Sequence, residues 1–328
     1  MHDILISEAI EGAAVDELRE RFRVRYLPEA WKNPQLLAET IGDCRALVVR
    51  NQTPVTAELM DAAPALQVIG RAGVGLDNVD VEYARKNGIV VCSTPDQNAI
   101  SAAELALGLM LALVRFIPAA NHDTKEGNWN RRAFVGAELY GKTLGIVGAG
   151  KIGYLTARRA RAFGMSVLAC DPFLSQDNVL LADLQAELVS LEQLFERADI
   201  VSCHLPATPQ TAGLLSAAYF DRMKPTAYFV NTSRGQVVCE PDLIAALKAG
   251  RLAGAALDVR AVEPPQKGEL ESMSNVILMP HIGAWTREAQ DRVTVAICND
   301  ITRVLLGEPA LNAVHQAVPQ RTTTHQTV

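Results

Sequence analysis

The chain has 328 residues, enough for about two domains at roughly 150 residues each. With 49% apolar and 21% charged residues it has the composition of a chain that buries large cores, which excludes a disordered or fibrous protein. A formal charge of −6 with no long basic block argues against a general nucleic-acid or anionic-membrane surface and leaves room for a local cationic pocket. The longest apolar run, Leu105 to Val114, is short of the roughly 20 residues of a membrane span. The opening MHDILISEAIEG has neither the basic nor the long apolar region of a signal peptide. Six scattered cysteines (Cys44, Cys92, Cys170, Cys203, Cys239, Cys298), none in a CxxC pair, read as small buried hydrophobes. A reduced, cytoplasmic protein without a zinc site is expected.

Short apolar strands alternate with amphipathic helices over the first hundred residues. Asp3–Ser7, Ala46–Val49, Leu66–Gly70 and Gly88–Cys92 read as strands. Gly12–Phe22, Thr56–Ala63 and Val79–Asn87 read as helices, with Thr56 as an N-cap ahead of Leu59 and Met60. Such alternation predicts a parallel sheet covered on both faces. Asn98–Pro118 is a long helix, apolar on nearly all sides and closed by Pro118, followed by the polar excursion Asn121–Tyr140. From Thr143 a second alternation runs through TLGIV, SVLAC, DIVSCHL, AYFVNTS, AGAALDV and NVILMPH to a last helix, Glu288–Leu306, and a polar tail.

The sharpest motif is GIVGAGKIG. Gly148, Gly150 and Gly153 form G-x-G-x-x-G directly after the strand Thr143–Val147 and open the helix Lys151–Phe163, and Asp171 closes the next strand, roughly 20 residues on. Gly148 permits the tight turn, Gly150 lets backbone N–H groups approach a pyrophosphate, and Gly153 lets helix and strand pack closely. Asp171 would accept from the adenosine ribose and repel a 2′-phosphate, and PFLSQDN after it carries no Lys or Arg. NAD is expected over NADP.

At this point the chain resembles the D-isomer-specific 2-hydroxyacid dehydrogenases over nearly its whole length. Three more stretches match the family's catalytic set in order: NTSRG (Asn231–Gly235), DVRAVEPP (Asp258–Pro265) and PHIGAWT (Pro280–Thr286). Within the family the likeness is to 3-phosphoglycerate dehydrogenases, through VVRNQTPVT, GRAGVGLDNVD, NAISAAEL and GNWNRRAFVGAELYGKTLGIVG. The resemblance implies two doubly wound parallel-sheet α/β domains, with a Rossmann NAD-binding domain (99–285) inserted within a flavodoxin-like substrate domain (1–98 plus 286–317). It implies a homodimer through the NAD-binding domain, with Ala99–Val114 and the excursion carrying Trp129 and Phe134 as the contact. No regulatory domain is expected after Val314, and 318–328 reads as a disordered tail.

The residues carry this chemistry on their own terms. Arg234 follows the buried strand Ala227–Asn231, at the end where α/β ligands bind, and its planar fork suits a carboxylate or carbonyl oxygen. His281 ends another strand, and an imidazole titrates near operating pH. The resemblance makes Glu263 its carboxylate partner and Asp258 the acceptor for the nicotinamide carboxamide. It further implies cofactor contacts from Lys151, Ile152, His204, Thr208, Thr232 and Gly283. Taken by itself each of His2, His122, His204, His315 and His325 reads as an ordinary core or surface histidine, and Thr208 equally as a helix cap. Val74 and Gly75 would offer N–H groups to the substrate carboxylate. The resemblance to phosphoglycerate dehydrogenases also implies that Arg50, with Arg71 as a second cation, holds an anionic tail such as phosphate or sulfonate; taken alone, Arg50 reads as a surface arginine after a strand.

Arg260 and Trp285 depart from the family's usual residues beside catalytic motifs; each either reshapes the pocket or packs elsewhere. The expected reaction is hydride transfer between NAD and C2 of a 2-hydroxy acid, 3-phosphoglycerate or one like it. Two alternatives stay open: another 2-hydroxy acid (sulfolactate-like, or glyoxylate and hydroxypyruvate), and a non-catalytic NAD-sensing corepressor resembling C-terminal-binding protein.

Overall fold

The structure, a computed structural model, describes residues 2–314. The expected tail, together with His315 and His325, lies outside the described residues. The described chain forms two compact units, one from the residues up to Asn98 together with those from Thr286 onward, the other from Ala99–Trp285.

The first unit contains β1 (Ile4–Ile6), α1 (Ala13–Arg21), β2 (Val24–Tyr26), α2 (Pro34–Ile41), β3 (Ala46–Val49), α3 (Ala57–Asp61), β4 (Val68–Arg71), α4 (Val81–Lys86) and β5 (Val90–Cys92). Its sheet is wholly parallel in the order β2-β1-β3-β4-β5. The three central strands β1, β3 and β4 are buried except at Arg71, because helices cover both faces. Thr56 caps α3 by accepting from the Leu59 N–H, and Leu59 and Met60 are buried behind it.

The second unit contains α5 (Ala99–Val114), α6 (Ile117–Lys125), β6 (Thr143–Val147), α7 (Lys151–Ala162), β7 (Ser166–Cys170), α8 (Val179–Leu184), β8 (Glu187–Leu188), α9 (Leu191–Arg197), β9 (Ile200–Cys203), α10 (Ala217–Phe220), β10 (Tyr228–Asn231), α11 (Glu240–Lys248), β11 (Gly254–Leu257) and β12 (Val276–Leu278). Its seven parallel strands run β12-β11-β10-β9-β6-β7-β8. Chain order reverses between β6 and β9, the switch point at which such sheets bind ligands beyond their carboxyl ends. The chain then returns to the first unit as α12 (Arg287–Leu305), whose Ile297 and Ile301 would meet a Cβ on Gly70, so the helix lies directly on β4.

One helix differs from expectation. The apolar helix ends at Val114, not at Pro118: Phe116 takes a left-handed conformation, and Pro118 sits in the first turn of a separate helix, α6. A proline lacks the N–H that a first helical turn leaves unpaired anyway, so it opens this helix where it would have broken the other. The start of the Asn121–Tyr140 excursion is therefore helical. The edge strands β2 and β8 carry too little periodic apolar pattern to be read from sequence. The helix α2 is also absent from the sequence reading, although it is amphipathic, with Leu37 and Ile41 buried, Asn33 as its N-cap and Pro34 at its first position. Among the described residues no single helix is long and apolar enough to cross a membrane; α5 and α6 reach that length only together, bent by 60°.

Gly153 is where α7 meets β6. A Cβ there would lie 2.2 Å from the Gly148 carbonyl oxygen and 3.0 Å from Ile146 Cγ2. Alanine gains about 1 kcal/mol of helix propensity over glycine, less than the roughly 1–3 kcal/mol cost of overpacking against backbone. Gly153→Ala is expected to lower stability by up to about 2 kcal/mol, read as a lower urea midpoint at unchanged slope.

Candidate active site

In the second unit the motif residues gather at the carboxyl ends of the strands. Gly148 (φ +87°) follows β6 and turns against the backbone of His204, which follows β9, with the His204 carbonyl 3.2 Å from where a Gly148 Cβ would lie. Gly150 is the N-cap of α7 and has nothing within 4 Å of a Cβ position, so the backbone there is open to approach. No side chain caps α7, leaving the first-turn amides of Lys151, Ile152 and Gly153 at the positive end of a 12-residue helix. Asp171, after β7, accepts from the Ala149 N–H at 3.0 Å and the Phe173 N–H at 2.9 Å, which ties its carboxylate to the glycine turn.

Two buried polar atoms, His204 Nδ1 and Thr232 Oγ1, have no partner among the described residues, and they follow the neighbouring strands β9 and β10. Orphaned polar atoms, an open glycine backbone and an uncapped helix end together fit a dinucleotide's pyrophosphate and polar groups. Thr208 caps no helix. It exchanges hydrogen bonds with Thr211, N–H to Oγ1 in both directions at 2.8 and 3.2 Å, and so closes a local turn.

Arg234, Asp258, Glu263 and His281 come from the ends of β10, β11 and β12. Asn231 shapes the first of these loops: its Oδ1 accepts from the Ser233 N–H and hydroxyl, and its Nδ2 donates to the Arg234 carbonyl. Glu263 Oε2 lies 2.6 Å from His281 Nδ1, while its Oε1 accepts the Arg260 N–H at 3.0 Å. Burial works to raise the Glu263 carboxyl. The hydrogen bonds from His281 and Arg260 outweigh it, aided by the charges of His281 and Arg234, and hold it below its ordinary value. An ionised carboxylate only accepts, so Nδ1 carries the proton and Nε2 is left as the basic nitrogen.

Asp258 is buried and spent on the loop that carries the histidine. Its Oδ1 and Oδ2 accept from Ile282 and Gly283 N–H, each at 2.8 Å, and its carbonyl accepts from the His281 N–H at 2.8 Å. Burial pushes its carboxyl up from the ordinary value, with those two amides working against the rise. Gly283, expected beside the cofactor, has its N–H committed to Asp258. Arg260 does not point a free charge at a substrate; its guanidinium packs between Glu240 and Glu271. Trp285 is largely exposed.

In the first unit the expected substrate residues also follow strands. Arg50 comes directly after β3, and Arg71 closes the adjacent β4 in register with Val49. Arg50 donates to Gln290 of α12, and burial lowers its pKa, with Glu8 opposing. Glu8, fully buried after β1, is a residue that sequence reasoning missed; it accepts N–H bonds from Arg50, Gln52 and Thr53. Its one signal is a lone acid just past an apolar strand. The N–H groups of Val74 and Gly75 donate to no described residue. No cluster of His, Cys, Asp and Glu among the described residues fits a metal ion.

A glycine turn at the switch point of a doubly wound sheet, with a His–carboxylate pair at the carboxyl ends of β11 and β12, has the form of a dinucleotide-binding domain with a candidate acid–base pair. Residues 107–283 match the model of the D-isomer specific 2-hydroxyacid dehydrogenase NAD-binding domain, and the chain belongs to that family. It is 44% identical over 315 residues to D-3-phosphoglycerate dehydrogenase of Synechocystis sp., covering 96% of this chain and 56% of that one. The chain thus spans little more than half the length of the curated relatives it matches. The crystal structure of TT0316 protein from Thermus thermophilus superposes with a TM-score of 0.89 at 34% identity, covering 95% of this chain and all of that one. An NADPH-dependent glyoxylate/hydroxypyruvate reductase from Sinorhizobium meliloti, in complex with NADP and malonate, does so at 0.85 and 29%, covering 97% and 98%.

Burial drops the His204 imidazole from 6.5 to about 4. Between those values the unfolded chain binds a proton that the folded one refuses, so stability is full above pH 6.5 and is lost as pH falls toward 4. Urea midpoints of the ligand-free protein are expected to fall across that window, and less steeply in His204→Gln.

Proposed function

We propose that the chain transfers a hydride between NAD and C2 of a D-2-hydroxy acid or its 2-oxo partner, with 3-phosphoglycerate as the leading substrate. The observation that carries this reading is the 2.6 Å contact of His281 Nδ1 with an ionised Glu263 in a domain that also holds the glycine turn. When bound, the nicotinamide supplies the hydride acceptor or donor.

His281 Nε2 takes the hydroxyl proton in oxidation and returns it to the C2 oxygen in reduction. Glu263 keeps the ring in the tautomer that does this and stabilises the imidazolium that forms. Arg234 binds the substrate carboxylate and polarises the C2 oxygen. Gly148, Gly150, Lys151, Ile152 and Gly153 bind the pyrophosphate, Asp171 the adenosine ribose, and His204, Thr208 and Thr232 the remaining polar groups. Asp258 and Gly283 act near the nicotinamide, chiefly by holding the His281 loop. A ribose-binding carboxylate at Asp171 disfavours a 2′-phosphate, which selects NAD over NADP.

In the same proposal residues 99–285 are the NAD-binding domain and residues 1–98 with 286–317 the substrate domain. Val74 and Gly75 bind the substrate carboxylate, and Arg50 with Arg71 binds its anionic tail. The relatives named phosphoglycerate dehydrogenases support that tail. A second reading, a 2-hydroxy acid without a charged tail, is favoured by one contact: Gln290 already accepts from the Arg50 guanidinium. The protein is proposed to be a cytoplasmic homodimer joined through the NAD-binding domain. Exposed apolar side chains in and beside the excursion, Trp129, Val135 and Tyr140, each more than three-quarters accessible, support that contact.

A panel of 2-oxo acids with NADH, including phosphohydroxypyruvate, 3-sulfopyruvate, hydroxypyruvate and glyoxylate, tests the reading. Reduction of the charged-tail members at the highest kcat/KM is expected; NADH binding with no turnover on any would leave the sensing role instead. His281→Ala is expected to lower kcat by about 10²–10⁴-fold with NADH affinity retained. Arg50→Ala is expected to raise KM for the charged-tail substrate about 10- to 100-fold, the range of a lost charged hydrogen bond. An unchanged KM removes the tail argument.

A further inference from the structure

Arg260 lies between Asp258 and Glu263 in the connection from β11 to β12, and its side chain is only 10% exposed. Its Nε and Nη2 meet the two oxygens of Glu240 at 3.3 and 3.2 Å, a two-pronged contact, and Nη1 donates to Glu271 at 2.5 Å. Both glutamates also accept from the connection's own backbone: Ala261 N–H to Glu240 at 2.5 Å and Gly268 N–H to Glu271 at 2.8 Å. Glu240 is the first residue of α11, where the helix dipole favours a carboxylate. Three separate pieces of chain are thereby tied at one guanidinium.

The same residue reaches both halves of the acid–base site through its backbone. Its N–H donates to Glu263 Oε1, the carboxylate whose other oxygen holds His281. On the other side, a Cβ on Gly235 would lie 2.0 Å from the Arg260 carbonyl oxygen and 2.4 Å from the Ala261 nitrogen. The Arg260–Ala261 peptide therefore rests on the backbone of the residue after Arg234.

We propose that Arg260, gripped by Glu240 and Glu271, is a positioning residue that sets the alignment of Glu263 with His281 and the spacing of that pair from Arg234. This rests on the reading of His281 and Glu263 as the proton-transfer pair. The guanidinium is matched by two carboxylates and supplies no charge to the substrate. The pull of Arg260 on Glu271, which takes its carboxyl down to about 2, keeps that grip ionised at working pH.

The test variant replaces the cluster without leaving unpaired charge: Arg260→Met with Glu240→Gln and Glu271→Gln in one protein. It is compared with the parent for kcat, KM, NADH affinity, the pH profile of kcat and the His281 Nδ1 proton in ¹⁵N-resolved NMR, assigned with His281→Asn. The charged groups around His281 are Glu263 and Asp258, with Arg234 beside Glu263, and all three are unchanged in the variant.

The expected result is a kcat lower by about 10- to 100-fold, a moved acid–base limb, a broadened or lost Nδ1 proton, and NADH affinity and KM within about threefold. Unchanged kcat, pH profile and Nδ1 signal in the folded variant overturn the proposal. A raised KM at constant kcat also overturns it, by making Arg260 a substrate cation. If the triple variant fails to fold, Arg260→Lys decides: it keeps the charge and loses the fork, so a fall in kcat at constant KM supports the proposal and an unchanged kcat sinks it. If the parent reduces no 2-oxo acid, the functional reading fails, and the Nδ1 signal still reports whether the cluster aligns the ring.

Discussion

A single residue, Asp258, holds the backbone that presents the His281 imidazole. His281 adopts a left-handed backbone (φ 56°), a conformation that costs a non-glycine residue on the order of 1 kcal/mol and persists only where neighbours over-determine it. Asp258 does so with three hydrogen bonds: its carboxylate accepts from the Ile282 and Gly283 N–H groups, and its main-chain carbonyl accepts from the His281 N–H. Each satisfies a backbone amide in a segment with no sheet partner of its own. Glu263 then orients the ring that this backbone presents. Loss of Glu263 would leave the ring placed and free to turn, whereas loss of Asp258 would release the loop itself.

In both sheets, candidate site residues follow the strands between which chain order reverses. In the second unit the reversal lies between β6 and β9, followed by the glycine turn and His204. In the first it lies between β1 and β3, followed by Glu8 and Arg50. At such a point adjacent loops diverge to opposite faces and leave a crevice into which backbone amides point. The second unit keeps its backbone approachable at Gly150, where nothing lies within 4 Å of a Cβ position. The first fills its crevice internally, because the Glu8 carboxylate takes the amides of Arg50, Gln52 and Thr53. The same topology thus leaves an approachable glycine backbone in one unit and builds a rigid support for an arginine in the other.

Much of this was legible in the sequence, and the limits are physical. Buried parallel strands are unbroken apolar runs, so β3, β6 and β7 were readable to the residue. The glycine fingerprint was readable because each glycine has a separate steric reason to be there. Edge strands β2 and β8 are short and half solvated, and they borrow their conformation from a neighbour. Pro118 misled because a proline marks a helix start as readily as a helix end. Glu8, Gln290 and the Glu240–Arg260–Glu271 cluster were invisible for another reason: their contacts join residues far apart in the chain, and no local spacing encodes them. Arg260 stood out only as a departure from a motif, with no sign of which way it pointed.

The carboxylates around the β11–β12 connection share one pattern that explains why ionic groups serve there. Glu240, Glu263 and Glu271 each pair a charged side chain with a backbone N–H of the connection, and Asp258 takes two N–H groups directly. An irregular segment has no ladder to satisfy its amides, and a buried unpaired amide costs about as much as a lost hydrogen bond. Apolar side chains would fill the space without accepting a single proton. The ion pairs themselves contribute little net stability once desolvation is counted. Their value lies in direction: a carboxylate that must satisfy both a guanidinium or imidazole and a particular amide has one geometry that does both. A loop of irregular backbone held by such two-way contacts can keep Glu263 against His281 without belonging to the sheet.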